Sequence, residues 1–266
     1  MRSSYLAVVS CVCALASLLG AQTSAPPAYR ENITGTVVSL EMVPVPGGTV
    51  TVAGQTVQVK PFFIGRTEVT WDLYDVFALG LDVPKGGSDA DAIARPSQPY
   101  GAPDYGWGHA GYPAISVAHQ AAQAFAVWLS KKTGKTYRLP TEAEWAHAAA
   151  LAAGKDPMTP ARIDALAWHR GNAAARTHPV GTKSADALGL FDLFGNAAEW
   201  VAADPSGATP SGDTGPVARG GSFRDAPDTL GPGARAIQDE TWNERDPQLP
   251  KSRWWLSDGP FVGFRL

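Results

Sequence analysis

Residues Gly189 to Val201 constrain this chain more than any other stretch. Leu190, Phe191, Leu193, Phe194, Trp200 and Val201 are apolar, and they surround a short polar insert formed by Gly195, Asn196 and Glu199. Side chains of this kind are usually buried. The carboxylate and the amide go with them, and both need partners there, because an unpaired polar group is costly away from water. A hard cation held by Glu199, Asn196 and nearby carbonyl oxygens is one solution. Local bonding to the backbone of a turn is the other.

The surrounding chain describes a loop-rich fold with a real core. Apolar residues make up 44% of the 266 and charged residues 18%, so global disorder is excluded. Gly (28), Pro (22) and Trp (9) are abundant, as expected where irregular segments are pinned by large aromatic side chains. The net charge is −3 and no basic stripe is present, which argues against a nucleic-acid partner.

The N-terminus reads as an export signal over residues 1–21. Arg2 precedes an uncharged apolar run from Tyr5 to Leu19, and small residues follow. The run is short for a membrane span of ~20 residues. A periplasmic, cell-envelope or secreted location is therefore expected, with no span after signal cleavage. Cys11 and Cys13, the only cysteines, both lie in the signal. The mature chain then has no disulfide, no thiolate metal site and no cysteine nucleophile.

Residues 22–35 read as a polar linker, and 36–266 as one domain. Alternation from Thr36 to Phe63 predicts short strands, with a hairpin at Gly54. Helical spacing predicts helices over 70–79, over 117–131 with Ser116 as cap and Gly134 as stop, and over about 141–152. Thr141 and Glu144 form a capping box for the third. Glu142 and Glu144, two apart, point to different faces and cannot act as an acid pair, and Arg138 is placed to pair with one of them. Val217 to Phe223 reads as a strand with a glycine bulge. Phe261 to Leu266 reads as a terminal strand that pairs with an early one. His109, His119, His147, His169 and His178 form no close ligand pair, which disfavours a zinc site.

Two aromatic-rich loops stand out. One holds Tyr100, Tyr105, Trp107, His109 and Tyr112, and the other Trp242, Trp254 and Trp255 among Asn243, Arg245, Asp246 and Asp258. They read either as pins that hold loops to the core or as a cleft for a peptide, protein or glycan.

Four segments, in order, carry a resemblance. They are Arg138 to Trp145, Gly189 to Trp200, Arg219 to Phe223, and Gly263 to Arg265, with Thr67 to Thr70 in addition. From about Met42 to Leu266 the chain resembles the sulfatase-modifying factor domain, the family of formylglycine-generating enzymes. The resemblance implies an α+β, variant C-type-lectin-like fold with little regular secondary structure, short antiparallel strands and a few helices. It implies structural calcium at Asn196 and Glu199, with main-chain oxygens of Phe194, Gly195 and Ala197. A further family calcium site would use Asn172, but the short connection to His178 offers no second ligand.

Enzymes of the family oxidise a substrate cysteine with copper(I) and dioxygen, holding copper on two cysteines shortly after the Gly-Gly-Ser segment. Those positions match Asp225 and Leu230, and neither replaces a soft thiolate. Copper is not expected. Ser222, Asp225, Trp200 and Arg235 would line the remaining pocket. The expectation is an exported, calcium-stabilised binding or accessory module without formylglycine-generating activity. The alternative is an enzyme of different metal-dependent chemistry on the same scaffold, using Asp225 with His or Asp residues of the loops.

Overall fold

The computed structural model describes residues 26–83, 94–203 and 213–266. The stretch expected as an export signal, residues 1–21, lies outside them. Among the described residues, nine strands and four α-helices follow one another in an α+β order. Strands β1 (Tyr29–Asn32), β2 (Ser39–Val45) and β5 (Phe62–Gly65) form an antiparallel sheet in the order β1-β2-β5. Strands β3 (Gly48–Val52) and β4 (Gln55–Val59) form a hairpin. Ala53 and Gly54 at its tip both have positive φ, the turn conformation that matches strand twist. The segment expected as a linker contributes β1, whose Tyr29 packs edge-on against Phe63.

The helices α1 (Trp71–Ala78), α2 (His119–Thr133) and α3 (Glu142–Ala153) fall where the spacing predicts them. In α2, Ala121, Phe125, Trp128 and Leu129 turn inward, and Gly134 in the left-handed region ends the helix. The residue at the α2 N-cap is Ala118, not Ser116. Ser116 has a positive φ and lies outside the helix. In α3 both halves of the capping box are made: Thr141 accepts from the Glu144 N–H, and Glu144 accepts from the Thr141 N–H. Arg138 forks onto the same Glu144 carboxylate at 2.6 and 2.7 Å. Glu142, on another face, bonds Arg219 at 2.9 Å and Arg235 at 2.6 Å. A short fourth helix, α4 (Pro160–Leu166), was not expected. Thr159 caps it and Pro160 occupies its first turn, a start signal present in the sequence.

A four-stranded sheet carries the centre of the molecule. Its order is β8 (Arg235–Ile237), β7 (Val217–Arg219), β6 (Ala198–Val201), β9 (Val262–Phe264). The terminal strand β9 does not pair with an early strand. It lies parallel to β6, with Glu199 opposite Gly263. The end of the chain still closes on the first sheet, since Leu266 O accepts from Gly65 N at 2.7 Å and Phe264 O from Val69 N at 2.9 Å. The sheet is therefore not purely antiparallel, and Phe264 and Leu266 tie it directly to the segment Gly65–Val69.

Two apolar clusters flank this sheet. Trp71, Tyr74, Phe77, Phe125, Trp128 and Phe264 belong to the larger, and Trp145, Leu193, Phe194 and Leu230 to the smaller. Truncating one such buried ring to Ala costs about 3–5 kcal/mol. The aromatic content is thus what holds a fold with few long elements.

Candidate functional site

Glu199 sits in the middle of β6 with no solvent exposure, and its carboxylate is fully engaged. The Arg265 guanidinium donates to Oε1 through Nε at 2.9 Å and through its terminal nitrogen at 2.6 Å. Trp145 Nε1 donates to Oε2 at 2.8 Å. Arg265 also reaches the carbonyls of Gly65 and Phe191, both at 2.8 Å, so its planar fork ties four segments together.

Asn196 takes a positive φ, which asparagine tolerates better than most residues, and is equally buried. Its Oδ1 accepts from His178 N at 2.9 Å, and its amide donates to Glu68 Oε2 at 2.9 Å and to His178 O at 3.2 Å. The other oxygen of Glu68 accepts from Ala197 N at 2.9 Å. Next to Asn196, Gly195 has φ +83°, and a Cβ there would stand 2.3 Å from Trp168 O. Only glycine fits that turn.

This centre holds more carboxyl groups than cations. Glu68, Asp192 and Glu199 are buried and interact with one another, with Arg265 as the buried cation among them. Burial, then the neighbouring carboxylates Asp192 and Glu199, push the Glu68 carboxyl well above its usual range. Burial pushes Asp192 up to about 6. Asp192 Oδ2 accepts from Gly181 N at 2.7 Å, while Oδ1 is buried with no hydrogen-bond partner among the described residues.

Among the described residues no three His, Cys, Asp or Glu side chains form a metal-binding group. The side-chain oxygens foreseen as ligands, on Glu199 and Asn196, already accept from Arg265, Trp145 and His178. Asp192 Oδ1 is left without a partner among the described residues, and a hard cation would answer it. Asn172 is turned inward on its own loop: Oδ1 accepts from His169 N and the amide donates to Ala167 O.

The region after β7 contains Asp225 and Leu230, the two positions that the resemblance matches to copper ligands. Gly220 and Gly221 both have positive φ and carry the chain into a turn. Asp225 closes it, with Oδ2 accepting from Ser222 N at 2.7 Å and from Ser222 Oγ at 2.9 Å. A Cβ built on Gly221 would meet Leu230 Cδ2 at 2.4 Å and Asp225 Oδ2 at 3.4 Å. The two matched positions therefore converge over one glycine, and hold a carboxylate and a branched alkyl group.

Beside them is a cavity of about 210 Å³, lined by Arg224, Asp225, Arg235, Trp242 and Phe261 among others. Of the four residues expected to line it, Asp225 and Arg235 do. Ser222 is turned to Asp225. Trp200 is fully buried, packs against Trp242 at 5.4 Å between ring centres, and donates to Val117 O. Arg235 is paired with Glu142 and Asp213. Arg224, which composition alone did not single out, lies 3.3 Å over the Phe261 ring.

The two aromatic loops do meet. Tyr105 donates to Ser257 O at 2.7 Å and Trp255 Nε1 to Ser97 O at 2.7 Å. Between them is a second cavity of about 280 Å³. His109 anchors the first loop to α1. Its ring stacks on Trp71, with Nε2 2.7 Å from Asp75 and Nδ1 3.0 Å from Asp104.

The motifs of this α+β domain meet at one buried ionic centre with a glycine turn nearby. Residues 31–246 match the model of the Sulfatase-modifying factor enzyme 1-like domain, and the chain belongs to that family. A formylglycine-generating enzyme of Mycobacterium tuberculosis is 35% identical over 106 residues, covering 35% of this chain and 33% of that protein. The serine/threonine-protein kinase Pkn1 of Chlamydia trachomatis is 30% identical over 137 residues, 46% of this chain and 21% of the kinase. The chain thus spans a third or less of these relatives. Among solved structures, variable protein 1 of Treponema denticola has a TM-score of 0.61 at 24% identity, covering 90% of this chain and 98% of that one. PvdO from Pseudomonas aeruginosa has a TM-score of 0.58 at 26% identity, covering 85% and 92%. These likenesses agree with the α+β fold expected from the sequence.

Proposed function

We propose that this protein is an exported binding or accessory module, stabilised by calcium and lacking formylglycine-generating activity, which holds a polypeptide or a glycan between its two aromatic loops. One observation supports the loss of activity above all. The positions that match the copper-binding pair converge over Gly221, and they hold Asp225 and Leu230. Copper(I) requires soft ligands. Asp225 is a hard oxygen donor already bonded to Ser222, and Leu230 offers no donor. Calcium would be held by Asp192 with main-chain carbonyls of the turn through Phe194, Gly195 and Ala197. It would neutralise buried charge and tie loops together. Export is supported by the Arg2 to Ala21 pattern.

The cavity beside Asp225 favours a second reading, an enzyme with other metal-dependent chemistry. Elemental analysis of the purified protein separates the two. Calcium without stoichiometric iron or copper is expected, and a full equivalent of either redox metal would establish the second reading instead.

A further inference from the structure

The cavity beside Asp225 has an apolar floor and a cation at its wall without an ion-pair partner. The floor is one face of the central sheet. Ala218 and Ala236 stand opposite each other on β7 and β8, Trp200 stands opposite Ala218, and Ala198 lies two residues before Trp200 on the same face of β6. The methyl groups of Ala198, Ala218 and Ala236 leave about 210 Å³ open above them. Trp242 and Phe261 line the side, with their rings packed edge to face at 4.6 Å.

Arg224 carries the charge. Its guanidinium lies 3.3 Å over the Phe261 ring and makes no hydrogen bond or ion pair among the described residues. Asp225 attracts it without pairing, and partial burial holds its pKa below the usual value. A guanidinium held over an aromatic ring keeps its N–H edge for a planar acceptor. Arg235, the other cation of the wall, shares its charge with Glu142 and Asp213. Free side-chain donors prevail on the wall. The Arg224 guanidinium, Arg235 Nη1 and the Trp242 indole N–H are unbonded among the described residues, against Asp225 Oδ1 and the Thr229 hydroxyl oxygen as acceptors.

We propose that this cavity binds a monocarboxylate with a compact apolar group, the carboxylate on Arg224 and the apolar group on the alanine floor. A carboxylate matches the planar fork of an arginine. A free short-chain acid and the C-terminal residue of a polypeptide share this chemistry. A phosphate or sulfate would leave the floor unfilled and bring a second negative charge toward Asp225. The site shares no lining residue with the cavity between the aromatic loops, so the assignment stands or falls apart from what those loops hold.

The test titrates the full chain with isovalerate and its neutral amide, and with N-acetyl-leucine and N-acetyl-leucinamide, followed by the NMR shift of the Trp242 indole N–H. Each acid should bind about tenfold tighter than its amide, the value of a hydrogen bond to a charged group. Arg224→Gln, at an exposed position, should bring the ratio to near one without changing amide binding, and Arg224→Lys should keep part of the preference. Ala236→Leu, on the edge strand β8, fills the floor and should abolish binding of all four. Equal affinities of acid and amide in the wild type, a ratio unchanged in Arg224→Gln, or no binding of either acid overturns the proposal. With the preference established, N-acetyl-leucine binding at least as tightly as isovalerate assigns the site to a polypeptide C-terminus, and weaker binding assigns it to a free acid.

Discussion

Glu199 and Arg265, 66 residues apart, form a completely buried ion pair that joins β6 to the last residues of the chain. The two residues come from two separate motifs, and the pair explains why both are needed. β6 and β9 run parallel and side by side, which brings Arg265 within reach of Glu199. Arg265→Ala leaves the Glu199 carboxylate buried with only the Trp145 N–H, and should cost about 3–5 kcal/mol in urea unfolding. Arg265→Lys should recover only part of this, since an ammonium cannot also reach the carbonyls of Gly65 and Phe191. A loss below about 1 kcal/mol for Arg265→Ala, the range of an exposed pair, would contradict the role assigned to it.

The surplus of carboxyl groups around Asp192 leads to a second expectation. Calcium added to chelator-treated protein should raise the melting temperature, because an ion that binds only the folded state stabilises it by mass action. Asp192→Asn should abolish most of that response, and Asn172→Ala should leave it intact. No response in the wild type would mean that the surplus is relieved by protons on Glu68 and Asp192 instead.

His109 gives the aromatic loop a pH dependence. Partial burial works against its charge, but the carboxylates of Asp75 and Asp104 outweigh this and hold its pKa above the usual 6.5. A group whose folded pKa is raised stabilises the folded state fully below its unfolded value, and the contribution is lost as pH rises through the folded value. The tie between the loop and α1 should therefore be complete below about pH 6.5 and weaken above the raised value. NMR titration of the His109 ring should show a midpoint above 6.5, and His109→Gln should remove that part of the pH dependence of loop proteolysis. A midpoint at or below 6.5 would show that the two carboxylates do not act on the ring.

Much of the fold could be read from local pattern, because the cues for α2 and α3 lie within one element. The spacing of Phe125, Trp128 and Leu129, the stop at Gly134 and the Thr141–Glu144 box are all short-range signals. The strand pairing was not legible in this way. Nothing local to Phe261–Leu266 says that it lies beside β6, since the strand it pairs with and the carboxylate that Arg265 meets, 66 residues away, lie far along the chain. The same limit applies to the site. The need of Asn196 and Glu199 for partners followed from their apolar surroundings. That the partners are Glu68, His178, Trp145 and Arg265 is a matter of long-range packing. Ser116 shows the converse case: a serine just before a helix reads as a cap, but the backbone turns it into the left-handed region and Ala118 takes the N-cap position.

The central claim is that this domain keeps the scaffold of its family without the copper chemistry. The most direct test incubates the purified protein with copper(I), dioxygen and a cysteine-containing sulfatase peptide, and reads the peptide by mass spectrometry. The cysteine should remain unconverted at the level of a protein-free control. Catalytic accumulation of the formylglycine aldehyde would contradict the claim, and would mean that a copper site forms without Asp225 and Leu230 having been thiols.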